Sequence, residues 1–176
     1  MKYAGWFLVM LFFISCTKPV KTNNDITKVE LARSGAWSDY GAAISIDSSL
    51  SYKYCDNNTK QRYFAGTIDD KFWDTLNRKL EGIKFKSLPV TDNKLIEDAE
   101  YYELIIYWKN GKRRIKRVWD FPQQDSVLNV IKWLNDSYKK AKLHHVNYPI
   151  KFETTYQNRP IQPKIDQIEF PPPIKQ

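Results

Sequence analysis

"YYELIIYWKNGKRRIKRVWDF", residues 101–121, sets two β-rich runs on either side of Asn110-Gly111. Both of those residues tolerate positive φ, so the pair predicts a two-residue type I′ turn closing an antiparallel hairpin. With that turn Lys109 faces Lys112, Trp108 faces Arg113, Tyr107 faces Arg114 and Ile106 faces Ile115. Alternation along each strand then sorts the side chains. One face takes Tyr102, Leu104, Ile106, Trp108, Ile115 and Trp119 together with Arg113 and Arg117. The other takes Tyr101, Glu103, Ile105, Tyr107, Arg114, Lys116 and Val118. The first face is the more apolar, which makes it the core side. Arg113 and Arg117 are expected at its rim, with stems over the tryptophans and charges toward water. Arg114 and Lys116 are expected on an open face with little structural duty.

The same alternation extends upstream. "ITKVELAR", residues 26–33, reads as a first strand. "AAISID", two serines and "LSYKYC" read as a second hairpin, and "QRYFAGTI" as a further strand. The period then changes to 3.6, with Phe72, Trp73, Leu76 and Leu80 on one side of "DKFWDTLNRKLEG". Asp69 or Asp70 caps that helix, and Gly82 is suited to a left-handed residue ending it. "SVLNVIKWLNDSYKKA" reads as a second helix, capped by Asp125 or Ser126. Hairpins followed by a helix, twice, give an α+β fold. The expected form is an antiparallel β-sheet of about five to six strands with two helices packed on one face.

Three stretches carry a resemblance: "ARSGAWSDYGAAISIDSSLSYKY", "FAGTIDDKFWDTLNRKLEGI" and "YYELIIYWKNGKRR". Through them, from about Ile26 to Leu143, the chain resembles an uncharacterised family of bacterial lipoproteins and secreted domains with a two-layer α+β core. Typical members carry Cys-Phe-Gly-x-Cys-Pro where this chain has Gly35-Ala36-Trp37-Ser38-Asp39-Tyr40. Both cysteines are missing, so no redox role carries over to that loop. The resemblance implies fold and export, and no activity.

Export is also written at the start. Lys2 is followed by the uncharged run Tyr3–Ser15. A membrane-spanning helix needs about 20 apolar residues, which this run does not reach. A short apolar core between a basic start and a small residue reads as a secretory signal peptide. Phe13-Ile14-Ser15-Cys16 resembles a lipobox, in which the chain is cut before the cysteine and its sulfur is joined to diacylglycerol. The expected organisation is a lipoprotein signal peptide over 1–15, a tether over 16–25, one α+β domain over 26–143 and an extended proline-rich segment over 144–176. Six of the nine prolines fall in that last segment, where they withhold ladder N–H groups. Lipidation of Cys16 leaves Cys55 alone, a small apolar side chain with no histidine nearby to activate it.

The chain is basic, with 28 Lys and Arg against 20 Asp and Glu and a pI near 9.3. Lys112, Arg113, Arg114, Lys116 and Arg117 concentrate that charge. Export argues against nucleic acid and for anionic lipid, with Lys112, Arg114 and Lys116 as the contacts. Trp37 and Tyr40, in the loop "SGAWSDYG", are candidates for holding a sugar ring or peptide. No catalytic residue and no metal site is assigned, and no cofactor is implied. His144 and His145 point to opposite sides of an extended chain. Asp92, Glu97, Asp98 and Glu100 lack the register of a calcium loop. There is no phosphate-binding loop, nucleophile elbow or metalloprotease motif.

The sequence therefore points to a lipid-anchored cell-envelope protein, on the periplasmic side of a membrane and most simply the outer one. It would act as a non-catalytic binding or structural module for an envelope protein, a glycan or an anionic lipid. The alternative is a hydrolase-like envelope enzyme whose site is assembled from distant residues.

Overall fold

The hairpin forms, but its turn is Lys109–Asn110 rather than Asn110–Gly111. In the computed structural model, which describes residues 25–34, 41–57, 60–85, 88, 100–118 and 126–155, Trp108 pairs with Gly111. A type I′ turn needs positive φ at both central residues, and neither Lys109 nor Asn110 has it. The unusual angle falls on Gly111, at φ +152, where no Cβ resists it. The register is therefore displaced by two residues from the expected one: Tyr107 faces Lys112, Ile106 faces Arg113 and Leu104 faces Ile115. A one-residue slip would exchange the faces, whereas a two-residue shift leaves each side chain on its own.

Among the described residues seven strands form one antiparallel sheet, more than the five to six expected. They are β1 (Ile26–Ser34), β2 (Ala42–Asp47), β3 (Ser51–Asp56), β4 (Arg62–Thr67), β5 (Tyr101–Trp108), β6 (Gly111–Val118) and β7 (Lys142–Val146). Their order is β6-β5-β1-β2-β3-β4-β7, so the first strand lies in the interior of the sheet and the last forms an edge. β7 crosses the 143/144 division expected between domain and extension. Its residues are mostly half-buried or exposed, and such a strand carries little apolar signal.

The α1 helix (Asp70–Glu81) begins on Asp69, whose carboxylate accepts the Phe72 N–H at 2.7 Å. Gly82 caps the other end at φ −67, in right-handed rather than left-handed geometry. The α2 helix (Ser126–Asn135) ends earlier than its apolar period suggested, and a 3-10 turn, Ser137–Lys139, follows. Asn135, Asp136 and Ser137 compete for backbone hydrogen bonds and weaken helix continuation. The Ser137 hydroxyl donates to the Leu134 carbonyl and lies 2.6 Å from the fully buried Tyr52 hydroxyl.

One buried cluster contains Leu76 and Leu80 of α1 and Val127, Ile131 and Leu134 of α2. It also contains Val29, Leu31, Ile44, Ile46, Leu104, Ile106 and Ile115, which register places on a single sheet face. On the opposite face Ala32, Ala43 and Cys55 form a second, smaller cluster with Tyr63 and Phe152. Small residues at these paired positions leave room for Phe152, which arrives from beyond β7. Residues 150–155 thus take part in the fold.

Candidate functional site

The end of α1, the start of β1 and the β5–β6 turn surround an open groove of about 770 Å3. It arises because the chain doubles back after α1. Ile83 N–H donates to Leu80 O at 3.2 Å and Phe85 N–H to Ile83 O at 2.8 Å, turning both side chains into the core. Ile83, Phe85, Leu80, Ile26 and Trp108 form an apolar floor. Lys84, Lys109, Lys112 and Arg113 stand around it, against the two carboxylates of Asp25 and Glu81. The size is within the range of roughly 300–1,000 Å3 common for small-molecule sites, and an apolar lining with a few charged groups is their usual chemistry.

Arg113 is partly buried, opposite Ile106 on the face of the larger cluster. One guanidinium N–H donates to the Leu88 carbonyl at 2.6 Å, while its buried Nε–H has no acceptor among the described residues. Arg117 is deeper than a rim position, at 3% exposure, and donates to the Lys116 carbonyl at 2.8 Å.

The sheet face that carries Ala32, Ala43 and Cys55 corrects the expectation of an open basic patch. Glu103 is completely buried there and Glu30 nearly so. Arg114 pairs with Glu103 and reaches Glu153 at 3.4 Å, and Lys112 pairs with Glu153. Tyr107 donates to Glu153 at 2.8 Å, and Lys28 pairs with Glu30 at 2.9 Å. Backbone N–H groups of the crossing segment complete the network: Glu153 N donates to Glu30 at 2.8 Å and Thr155 N to Glu103 at 2.6 Å. Arg114 therefore has structural duty, because two buried carboxylates in a sheet require cations and N–H donors. Lys116 is half-buried opposite Glu103. The hydrogen bond from Lys112, with help from Tyr107, holds the Glu153 carboxyl below the usual glutamate value. Burial, then the bond to Glu153, raises the Tyr107 hydroxyl, which stays protonated and donating.

Cys16, Trp37 and Tyr40 lie outside the described residues, as do Asp92, Glu97 and Asp98. Glu100 accepts the Tyr102 hydroxyl at 2.8 Å. Burial pushes the Cys55 thiol up to about 11, with Gln61 pulling slightly the other way. A thiol so protonated, packed under Phe152, serves as a core side chain. His144 and His145 occupy opposite faces of β7, the latter edge-on to Phe64 at 5.6 Å. Among the described residues no group of three or more His, Cys, Asp or Glu could hold a metal ion. None of their helices is long and apolar enough to cross a membrane.

Sequence reasoning missed Ile83, Phe85 and Glu153. The signal for Glu153 lay in its partners: Glu30 in "KVELAR" and Glu103 in "YYELII" are lone carboxylates inside apolar strands, and buried carboxylates need donors. Comparison with protein families and with curated proteins finds no match for the chain.

Proposed function

We propose that this chain is a lipid-anchored envelope protein, held to a membrane through Cys16, whose domain is a non-catalytic binding module. The resemblance to bacterial lipoproteins and the signal at residues 1–15 supply the anchor half of the reading. The groove beside the hairpin turn supplies the binding half, and it is the observation that carries the proposal. Its floor offers apolar contact and its rim offers cations, while its described lining holds no serine, threonine, cysteine or histidine. Such a lining suits an amphipathic ligand with an anionic end. The helices are taken as one layer over the apolar sheet face, leaving the groove at the end of that layer.

The test joins both halves. The chain is expressed with its signal, labelled with palmitate and fractionated, beside a Cys16→Ser variant and a variant of the exposed groove residue Lys84, Lys84→Glu. Wild type should label and sediment with membranes, and Cys16→Ser should do neither. Lys84→Glu should keep the label but lose whatever small molecule native mass spectrometry finds on the wild type. Palmitate on the Cys16→Ser variant would overturn the anchor, and an unchanged bound species on Lys84→Glu would overturn the groove.

A further inference from the structure

Asp25, the residue before β1, is tied to the hairpin turn beside the groove. Lys109 N–H donates to the Asp25 carbonyl at 3.3 Å, and Lys109 Nζ lies 3.1 Å from an Asp25 carboxylate oxygen. Asp25 lines the groove and is thereby fixed to the hairpin turn. Nine residue steps separate it from Cys16, at most about 30 Å of fully extended chain. A chain anchored at Cys16 therefore holds the groove near the bilayer surface, at a high effective concentration of lipid.

The groove's chemistry matches what is concentrated there. Ile26, Leu80, Ile83, Phe85 and Trp108 offer an apolar bed for an acyl chain. Lys84, Lys109 and Arg113 place positive charge at its edge, with Lys112 shared between the groove and Glu153. Arg113 contributes its charge to the same edge, one guanidinium N–H being held by the Leu88 carbonyl at 2.6 Å. Anionic headgroups draw basic surfaces toward a membrane, and cations nearest the anchor feel that field most. We infer that the groove binds an anionic phospholipid of the anchoring membrane, acyl chain along the floor and phosphate at the cationic rim. This names the ligand class of the binding module proposed above and rests on that reading.

The lipidated mature chain is placed in phosphatidylcholine vesicles containing either dibrominated phosphatidylglycerol or dibrominated phosphatidylcholine. Bromine quenches tryptophan on contact, and subtraction of a Trp108→Phe variant isolates the groove signal. Quenching of Trp108 should be markedly stronger with the glycerol lipid, and Lys109→Gln should weaken that preference about fivefold, the effect of one cation near the surface. A second arm titrates the Cys16→Ser chain with water-soluble dihexanoyl phosphatidylglycerol, and should shift Trp108 emission. If the chain does not float with vesicles, the anchor has failed and this soluble arm alone decides the ligand. Equal quenching by the two lipids, or none at Trp108 on vesicles that carry the protein, would overturn the inference. So would a soluble arm with no shift, including a Trp108 already shielded by the chain itself, or complete displacement of the lipid by inorganic phosphate.

Discussion

Glu103, buried in β5, accepts the backbone N–H of Thr155 at 2.6 Å and the hydroxyl of the same residue at 3.2 Å. The contact joins the interior of the sheet to a segment that leaves its far edge at β7. Its companion, Glu153 N–H on Glu30, repeats the arrangement one strand away. Two strand carboxylates thus bind an extended stretch of backbone crossing over them. Arg114 neutralises one and Lys28 the other.

Glu103→Leu should lower the unfolding free energy by about 3 kcal/mol, since it strands the Thr155 N–H and removes the buried partner of Arg114. Urea denaturation measures the loss. Adding Arg114→Leu should cost less than the sum of the two single changes, because the second change removes a cation already deprived of its buried partner, leaving only the longer contact to Glu153. Strict additivity would show that the two side chains do not act as a pair.

Acid should loosen the crossing segment. Glu153 has its folded value depressed below the ordinary 4.5 by Lys112, then Tyr107. Its contribution is therefore complete above that ordinary value and is lost as pH falls through the folded one. Stability should decline below about pH 4.5 less steeply in Glu153→Gln than in the wild type. Parallel pH profiles for the two proteins would contradict the contact.

Gly66 of β4 pairs with Leu143 of β7, and a Cβ added there would overlap the Lys142 carbonyl oxygen. Gly66→Ala must push the edge strand away, and overpacking of this kind costs about 1–3 kcal/mol. Hydrogen exchange should quicken at the amides that pair β4 with β7, with little change between β1 and β5.

Leu50 closes the β2–β3 hairpin at φ +66. Its N–H donates to Asp47 O at 2.9 Å, while Ser49 N–H donates to the Asp47 carboxylate at 3.0 Å. This three-residue loop wants glycine at its left-handed position. Leu50→Gly should raise stability by up to about 1 kcal/mol, the relief of strain exceeding the added chain entropy. Thermal unfolding decides the sign.

The hairpin at 101–118, both helices and the β2–β3 pair were legible because each follows from local periodicity. Alternating Leu104, Ile106 and Ile115 define a face, and Leu76 and Leu80 define a stripe, whatever surrounds them. The faces survived an error in the turn because the error was two residues, an even number. What sequence could not determine depends on residues brought together from far along the chain. Nothing local in "KLHHV" says that β4 needs an edge partner, and nothing in "IKFETT" says that Phe152 will cover Ala32, Ala43 and Cys55. The buried carboxylates show the reason most plainly. Glu30 and Glu103 look like solvent-facing residues in half-buried strands until Arg114, Lys28 and the backbone at 153–155 supply their donors. The groove is likewise made where the ends of α1, β1 and a hairpin converge. Local sequence determines which face of each element is apolar; only the assembled sheet decides which polar faces are covered, and by what.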